Sequence, residues 1–213
     1  MTTEIRPGDP TVDDSIDLPL DAPVLTPTER RAVLDRVRTV LAVATGAAAP
    51  SLLGDALDAD DGPHLCAAAF VTLTSGGALR SCMGNLDADA PLLESVTGAA
   101  MAAARSDPRF EPVLPMELPS LHVDVSVLGP PRLIRSPTQF RPAIDGIMVE
   151  IGTRRGLLLP EVATDAGWNA LQMFAAVCRK AGLPPSAWAD PRTRLSTFRT
   201  LRFGGPAVAD ERP

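Results

Sequence analysis

The stretch CAAAFVTLTSGGALRSCMGNL, residues 66–86, decides the fold class. Its first half, 66–74, is an apolar run with β-branched and aromatic residues, which reads as a buried strand. SGGA (75–78) follows, and its paired glycines supply the backbone freedom of a tight hairpin turn. LRSCMGNL (79–86) then returns as the partner strand. A link this short joins antiparallel neighbours only, because a parallel crossover needs a dozen residues or more.

Working outward, LHVDVSVL (121–128) alternates Leu121, Val123, Val125 and Val127 with His122, Asp124 and Ser126. That period of two belongs to a strand covered on one face, so it is expected in the same antiparallel sheet with its valines buried. GIMVEIG (146–152) reads as a shorter strand and LSTFRTLRF (195–203) as the last one. Helical periodicity marks three segments. In the first, 26–45, Thr26 caps, Pro27 takes the first helical position and Glu29 completes a capping box. Val33, Leu34, Val37, Val40, Leu41 and Ala44 share its apolar face. The second, DAPLLESVTGAAMAAARSD (89–107), ends at Asp107-Pro108. The third, DAGWNALQMFAAVCRKAGL (165–183), closes at Gly182 and Pro184. APSLLGDALDADDGPH (49–64) reads as a turn-rich connection. Strands and helices intermix, and the class is α+β, an antiparallel β-sheet flanked by helices.

The chain has 213 residues, 45% hydrophobic and 22% charged, which suits one large domain or a domain with a smaller satellite. Its net charge of -6 is lopsided, since residues 1–25 hold six acids against Arg6 alone, or -5, leaving -1 for the rest. An acidic, proline-rich tail (1–25) without apolar periodicity reads as disordered, and 204–213 as a flexible C-terminal tail. A near-neutral body argues against nucleic-acid binding. Three widely spaced cysteines, with no C-x-x-C pair, argue against a zinc site and for a reducing, cytoplasmic setting. No basic-then-apolar leader and no long apolar run is present, so neither export nor membrane insertion is expected. Nineteen arginines beside one lysine match a GC-rich bacterial coding bias.

Side-chain alternation along 79–86 sends Arg80, Cys82 and Gly84 one way and Leu79, Ser81 and Met83 the other. An arginine beside a thiol favours the reactive thiolate, and Gly84 leaves room beside it. A free cysteine can equally pack as a small hydrophobe, so nucleophile and filler both stand. His122 and Asp124 would serve a Cys–His–Asp arrangement if their row faces the thiol. They could equally form the solvated side of a half-covered sheet. GTRRGLLLP (152–160) sets Arg154 and Arg155 between two glycines, in a tight turn where they could hold a carboxylate or phosphate. Cys178 shares a helix face with Phe174 and Val177 and reads as core, and Cys66 as packing at a strand start.

Three ordered blocks, 69–92, 104–134 and 152–188, resemble the hallmark segments of the AMMECR family, across about residues 30–203. The resemblance implies an antiparallel sheet with flanking helices plus a smaller subdomain. The family signature L-R-G-C-I-G aligns with Leu79 to Gly84, with Ser81 and Met83 in place of its inner glycine and isoleucine. The family's L-P-Q is Leu159-Pro160-Glu161 here, adding an acid. Arg80, Cys82 and Gly84 match the signature and carry over; with His122 and Asp124 from the polar row of 121–128, the candidate catalytic residues are Cys82, Arg80, His122 and Asp124. Ser81, Gly84, Arg154, Arg155 and Glu161 are candidates for substrate binding, with no metal and no cofactor. The expected activity is that of a small-molecule enzyme of bacterial metabolism or biosynthesis, with Cys82 as nucleophile. The alternative is a non-catalytic partner or adaptor of a Memo-type dioxygenase-like or radical-SAM protein.

Overall fold

Among the residues that the computed structural model describes, 22–58 and 62–209, eight strands form two four-stranded antiparallel sheets. The chain opens with α1 (Pro27–Thr45), α2 (Ser51–Asp58), the hairpin β1 (Ala69–Ser75) and β2 (Ala78–Gly84), and α3 (Leu92–Arg105). It continues through β3 (Leu121–Leu128), β4 (Arg132–Leu133), β5 (Gly146–Ile151), β6 (Arg154–Leu158), α4 (Pro160–Ala166) and α5 (Ala170–Lys180). β7 (Arg194–Phe198) and β8 (Thr200–Pro206) close it.

The first sheet has the order β2-β1-β3-β8, so the hairpin and 121–128 do lie together. Its apolar face carries Val71, Leu73, Val123, Val125 and Val127, all fully buried. Against it pack Val33, Val37, Val40 and Leu41 of α1 and the small residues Ala99, Ala100 and Ala103 of α3. Burying each such valine or leucine stabilises the fold by roughly 1.5–3 kcal/mol. α1 begins as its sequence dictates. Thr26 Oγ1 accepts from the Glu29 N–H at 3.2 Å, and Glu29 Oε2 accepts from the Thr26 N–H at 2.7 Å. Leu25 beside it is 2% exposed, so this part of the stretch read as tail packs on the body; residues 1–21 lie outside the described residues.

The second sheet, β4-β7-β5-β6, is built from the segment between β3 and β8 and forms the smaller lobe. Its Ile147, Val149 and Leu195 pack on Met173, Phe174, Val177 and Cys178 of α5. Cys178 is therefore core, and burial pushes its thiol up. A third cluster, Ala68, Leu128, Met148, Leu157, Leu159 and Phe198, joins the lobes, with Phe70 and Leu86 against it.

Several boundaries differ from the sequence reading, each for a local reason. The third helix is two: Gly167 at φ 64 ends α4, and Asn169 starts α5 by accepting from the Gln172 N–H at 3.0 Å. The last strand is also two, in different sheets, with Arg199 between them. Residues 51–58, taken as connection, form α2. β8 runs through Gly204, Gly205 and Pro206, which pair with Asp124, Val123 and His122 and so belong to the sheet rather than to a tail. A Cβ at Gly204 would strike the Val123 carbonyl, which is why glycine stands there.

Candidate functional site

Cys82 sits on β2, the edge strand of the first sheet, and its neighbours come from three elements. Thr72 of β1 lies directly opposite and donates its hydroxyl to Cys82 Sγ at 3.3 Å. Asp124 of β3 lies opposite Thr72 on its other side, so Cys82, Thr72 and Asp124 form one row on the sheet face away from α1 and α3. The outward backbone groups of an edge strand need partners. Here Asp107 and Arg109 provide them: the Cys82 N–H donates to Asp107 Oδ2 at 3.0 Å, and Arg109 Nη2 donates to the Cys82 carbonyl at 3.2 Å. Two side chains thus take the place of a neighbouring strand.

Asp107 also accepts from Ser81 Oγ at 3.1 Å and from Arg109 Nε and Nη2 at 2.9 and 2.7 Å. The Arg109 guanidinium holds its carboxyl well below the usual carboxylate range, with the Cys82 N–H helping and burial opposing. Lys180, exposed at the end of α5 in the smaller lobe, lies within electrostatic range of Cys82 and Arg109. Desolvation draws its ammonium below the ordinary value, Cys82 opposes this, and Arg109 adds to it.

The expected alternation breaks at Arg80. The β1–β2 register slips between Leu73 and Thr74, opposite Ser81 and Leu79, so Arg80 is an extra residue in a bulge. Its guanidinium turns to Glu117, with Nε–Oε1 at 2.7 Å and Nη2–Oε2 at 3.1 Å, and lies 5.9 Å from the Phe110 ring. Arg80 therefore braces the segment after α3 and does not flank the thiol. Ser81 is fully buried and faces Asp107, away from Cys82. Gly84 leaves no room for a ligand, because a Cβ there would meet the Ala69 carbonyl and the Phe70 ring.

His122 and Asp124 share the thiol's face, but no triad forms. His122 Nε2 is 3.9 Å from Asp124 Oδ1. Thr72 stands between Asp124 and Cys82, and two cross-strand steps put them about 10 Å apart. Asp124 instead pairs with Arg202 of β8 at 2.8 Å, which raises the arginine. Glu161 does reach this face, and Ser126 Oγ donates to its Oε1 at 3.0 Å across the lobes. Arg154 and Arg155 lie on β6, not in a turn, and the strand sends them opposite ways. Arg154 donates to the Gly182 carbonyl at 2.9 Å, and Arg155 pairs with Glu150 at 3.1 Å. Cys66 is exposed, against expectation.

Thr72, Asp107, Arg109, Lys180 and Arg202 escaped the sequence reading. Lys180 was marked only as the chain's one lysine, and Asp107 only as a helix stop. Among the described residues no group of three His, Cys, Asp or Glu side chains is arranged for a metal ion. No helix there is long and apolar enough to cross a membrane.

Comparison with known proteins agrees with this architecture. A protein of Methanothermobacter thermautotrophicus is 46% identical over 140 residues, covering 63% of this chain and 73% of its own length. The Thermococcus kodakarensis protein TK0174 is 44% identical over 144 residues, covering 63% of this chain and 70% of its own. The crystal structure of the uncharacterized protein PH0010 from Pyrococcus horikoshii superposes with a TM-score of 0.73 at 35% identity, over 85% of this chain and 94% of that one. The AMMECR1 family model matches residues 32–203. With an α+β core in two lobes and that match across most of its length, the chain belongs to the AMMECR1 family.

Proposed function

We propose that the protein is a small-molecule enzyme of bacterial metabolism or biosynthesis, with Cys82 as its nucleophile. The observation that carries this reading is the placement of a half-buried thiol in a row of polar side chains, accepting the Thr72 hydroxyl, with the charge of Lys180 within electrostatic range. Arg109 and Asp107 fix the backbone of Cys82, so the sulfur is held in one position before substrate arrives. Among the described residues no carboxylate pairs with Lys180, and it would hold an anionic group of the substrate. Asp124 and His122, at the far end of the row, would exchange protons with the substrate's other end. Arg80 and Ser81 support β2 in this reading and touch no substrate. The near-neutral body favours small molecules over nucleic acid, and free thiols suit a reducing cytoplasm.

Incubation with a metabolite extract, comparing wild type, Cys82→Ala and Lys180→Gln by untargeted mass spectrometry, tests the reading. Turnover present in wild type and lost in Cys82→Ala supports it. Equal turnover by wild type and Cys82→Ala sinks it.

A second reading is a non-catalytic partner of a Memo-type or radical-SAM protein. It is favoured by Leu114 and Met116, 54% and 81% exposed beside the Arg80–Glu117 brace. A complex with such a protein that Met116→Asp abolishes and Cys82→Ala leaves intact would favour it.

A further inference from the structure

A cavity of about 520 Å³ opens at the seam between the lobes, on the far side of Phe70 from the thiol row. Ala68, on its wall, is four residues along from Thr72, so the cavity lies about 13 Å from that row. Its apolar walls come from Leu86, Leu128, Met148, Leu157 and Phe198. One cation stands in that lining, Arg155, whose Nε is 3.1 Å from Glu150 Oε1 and 3.2 Å from Met148 Sδ. Asp89 and the exposed thiol of Cys66 complete its polar surface.

From this juxtaposition we propose a second binding site, for a small apolar molecule that carries a single acidic group. The volume falls within the usual range for small-ligand sites, and a mostly apolar lining with a few placed polar groups is their usual chemistry. Apolar burial would supply the affinity. Arg155 sets the orientation: its Nε–H is taken by Met148 Sδ beside Glu150, and the outer nitrogens of the fork would reach an acid at the mouth. The proposal is independent of any role for Cys82.

Two fluorescent probes test it, because they share an anilinonaphthalene body and differ in charge: anilinonaphthalene sulfonate and neutral phenylnaphthylamine. Wild type is expected to bind both, the sulfonate more tightly. Ala88→Trp fills the cavity from an exposed lining position, where the fold tolerates bulk, and is expected to abolish both. Arg155→Gln is expected to weaken the sulfonate about tenfold while leaving the neutral probe unchanged, which also shows that the variant is folded. Saturating sulfonate should slow maleimide labelling of Cys66 and leave Cys82 labelling as it was. The proposal is overturned if wild type binds neither probe or if Ala88→Trp binds both as wild type does. An Arg155→Gln protein that holds the sulfonate within twofold of wild type also overturns it.

Discussion

Two guanidinium–carboxylate pairs brace β2 from the segment after α3, and they are not equivalent. Arg80–Glu117 is short, 2.7 Å, with side chains 17% and 29% exposed. Arg109–Asp107 is equally short, but the Asp107 side chain is 2% exposed and also serves Ser81 Oγ and the Cys82 N–H. Length and partner type match, while the groups left stranded on removal differ. The second pair therefore matters more, because a buried donor without a partner costs more than a lost surface contact.

The sharpest break of that comparison is Asp107→Ala. It strands the Ser81 hydroxyl, the Cys82 N–H and a guanidinium, and is expected to cost about 3–5 kcal/mol. In a chain of this size that lowers the melting temperature by about 10 °C in calorimetry. A loss below about 1 kcal/mol would erase the distinction.

Acid titration sharpens it further. Arg109 holds Asp107 low, and Arg80 with the Leu114 N–H holds Glu117 low. A carboxyl lowered in the folded state stabilises fully above its unfolded value, and that stability is lost as pH falls through the folded value. Wild type should thus lose stability below about pH 4. Unfolding measured between neutral and acid pH should show a flatter acid arm for Asp107→Asn than for Glu117→Gln; equal slopes would contradict the ranking.

At neutral pH Glu117→Gln should cost only about 1 kcal/mol, since water reaches both partners. The smallest expected effect separates structure from reactivity. Arg80→Gln should leave the iodoacetamide rate of Cys82, followed by mass spectrometry, within about twofold, while Lys180→Gln changes it at least about threefold. The reverse order would return Arg80 to the thiol's side.

The first lobe was legible because its strands are covered on one face only. Val123, Val125 and Val127 alternate with His122 and Asp124, so register and burial follow from period two. The smaller lobe was less so. β5 reads Gly146, Ile147, Met148 and Val149 without alternation because the α5 core takes one face and the seam the other. The Arg154–Arg155 strand was hidden by flanking glycines, and the break at Gly167 by apolar residues on both sides. At the site, the strand faces of Cys82 and of Asp124 were each legible, and Glu161 as an added acid, while the meeting of Cys82 and Asp124 on one face came only from the register through Thr72. The bulge at Arg80 was not legible, since a one-residue slip depends on what the partner strand and the Glu117 segment offer. The charge of Lys180 comes within range of the thiol through the packing of one lobe on the other, which no local pattern encodes.

The chain order of the first sheet bears on how the protein is made. β3 is synthesised well before β8, and the 71 residues of 129–199 come between them. Until β8 emerges from the ribosome, the outer edge of β3 is an open row of hydrogen-bonding groups beside a valine-rich face. The smaller lobe, local in sequence, has all its strands by Phe198 and can close first. Translation thus passes through a stage in which the lobe bearing the thiol is one strand short, and an unpaired edge of that kind is where a nascent chain meets chaperones or aggregates.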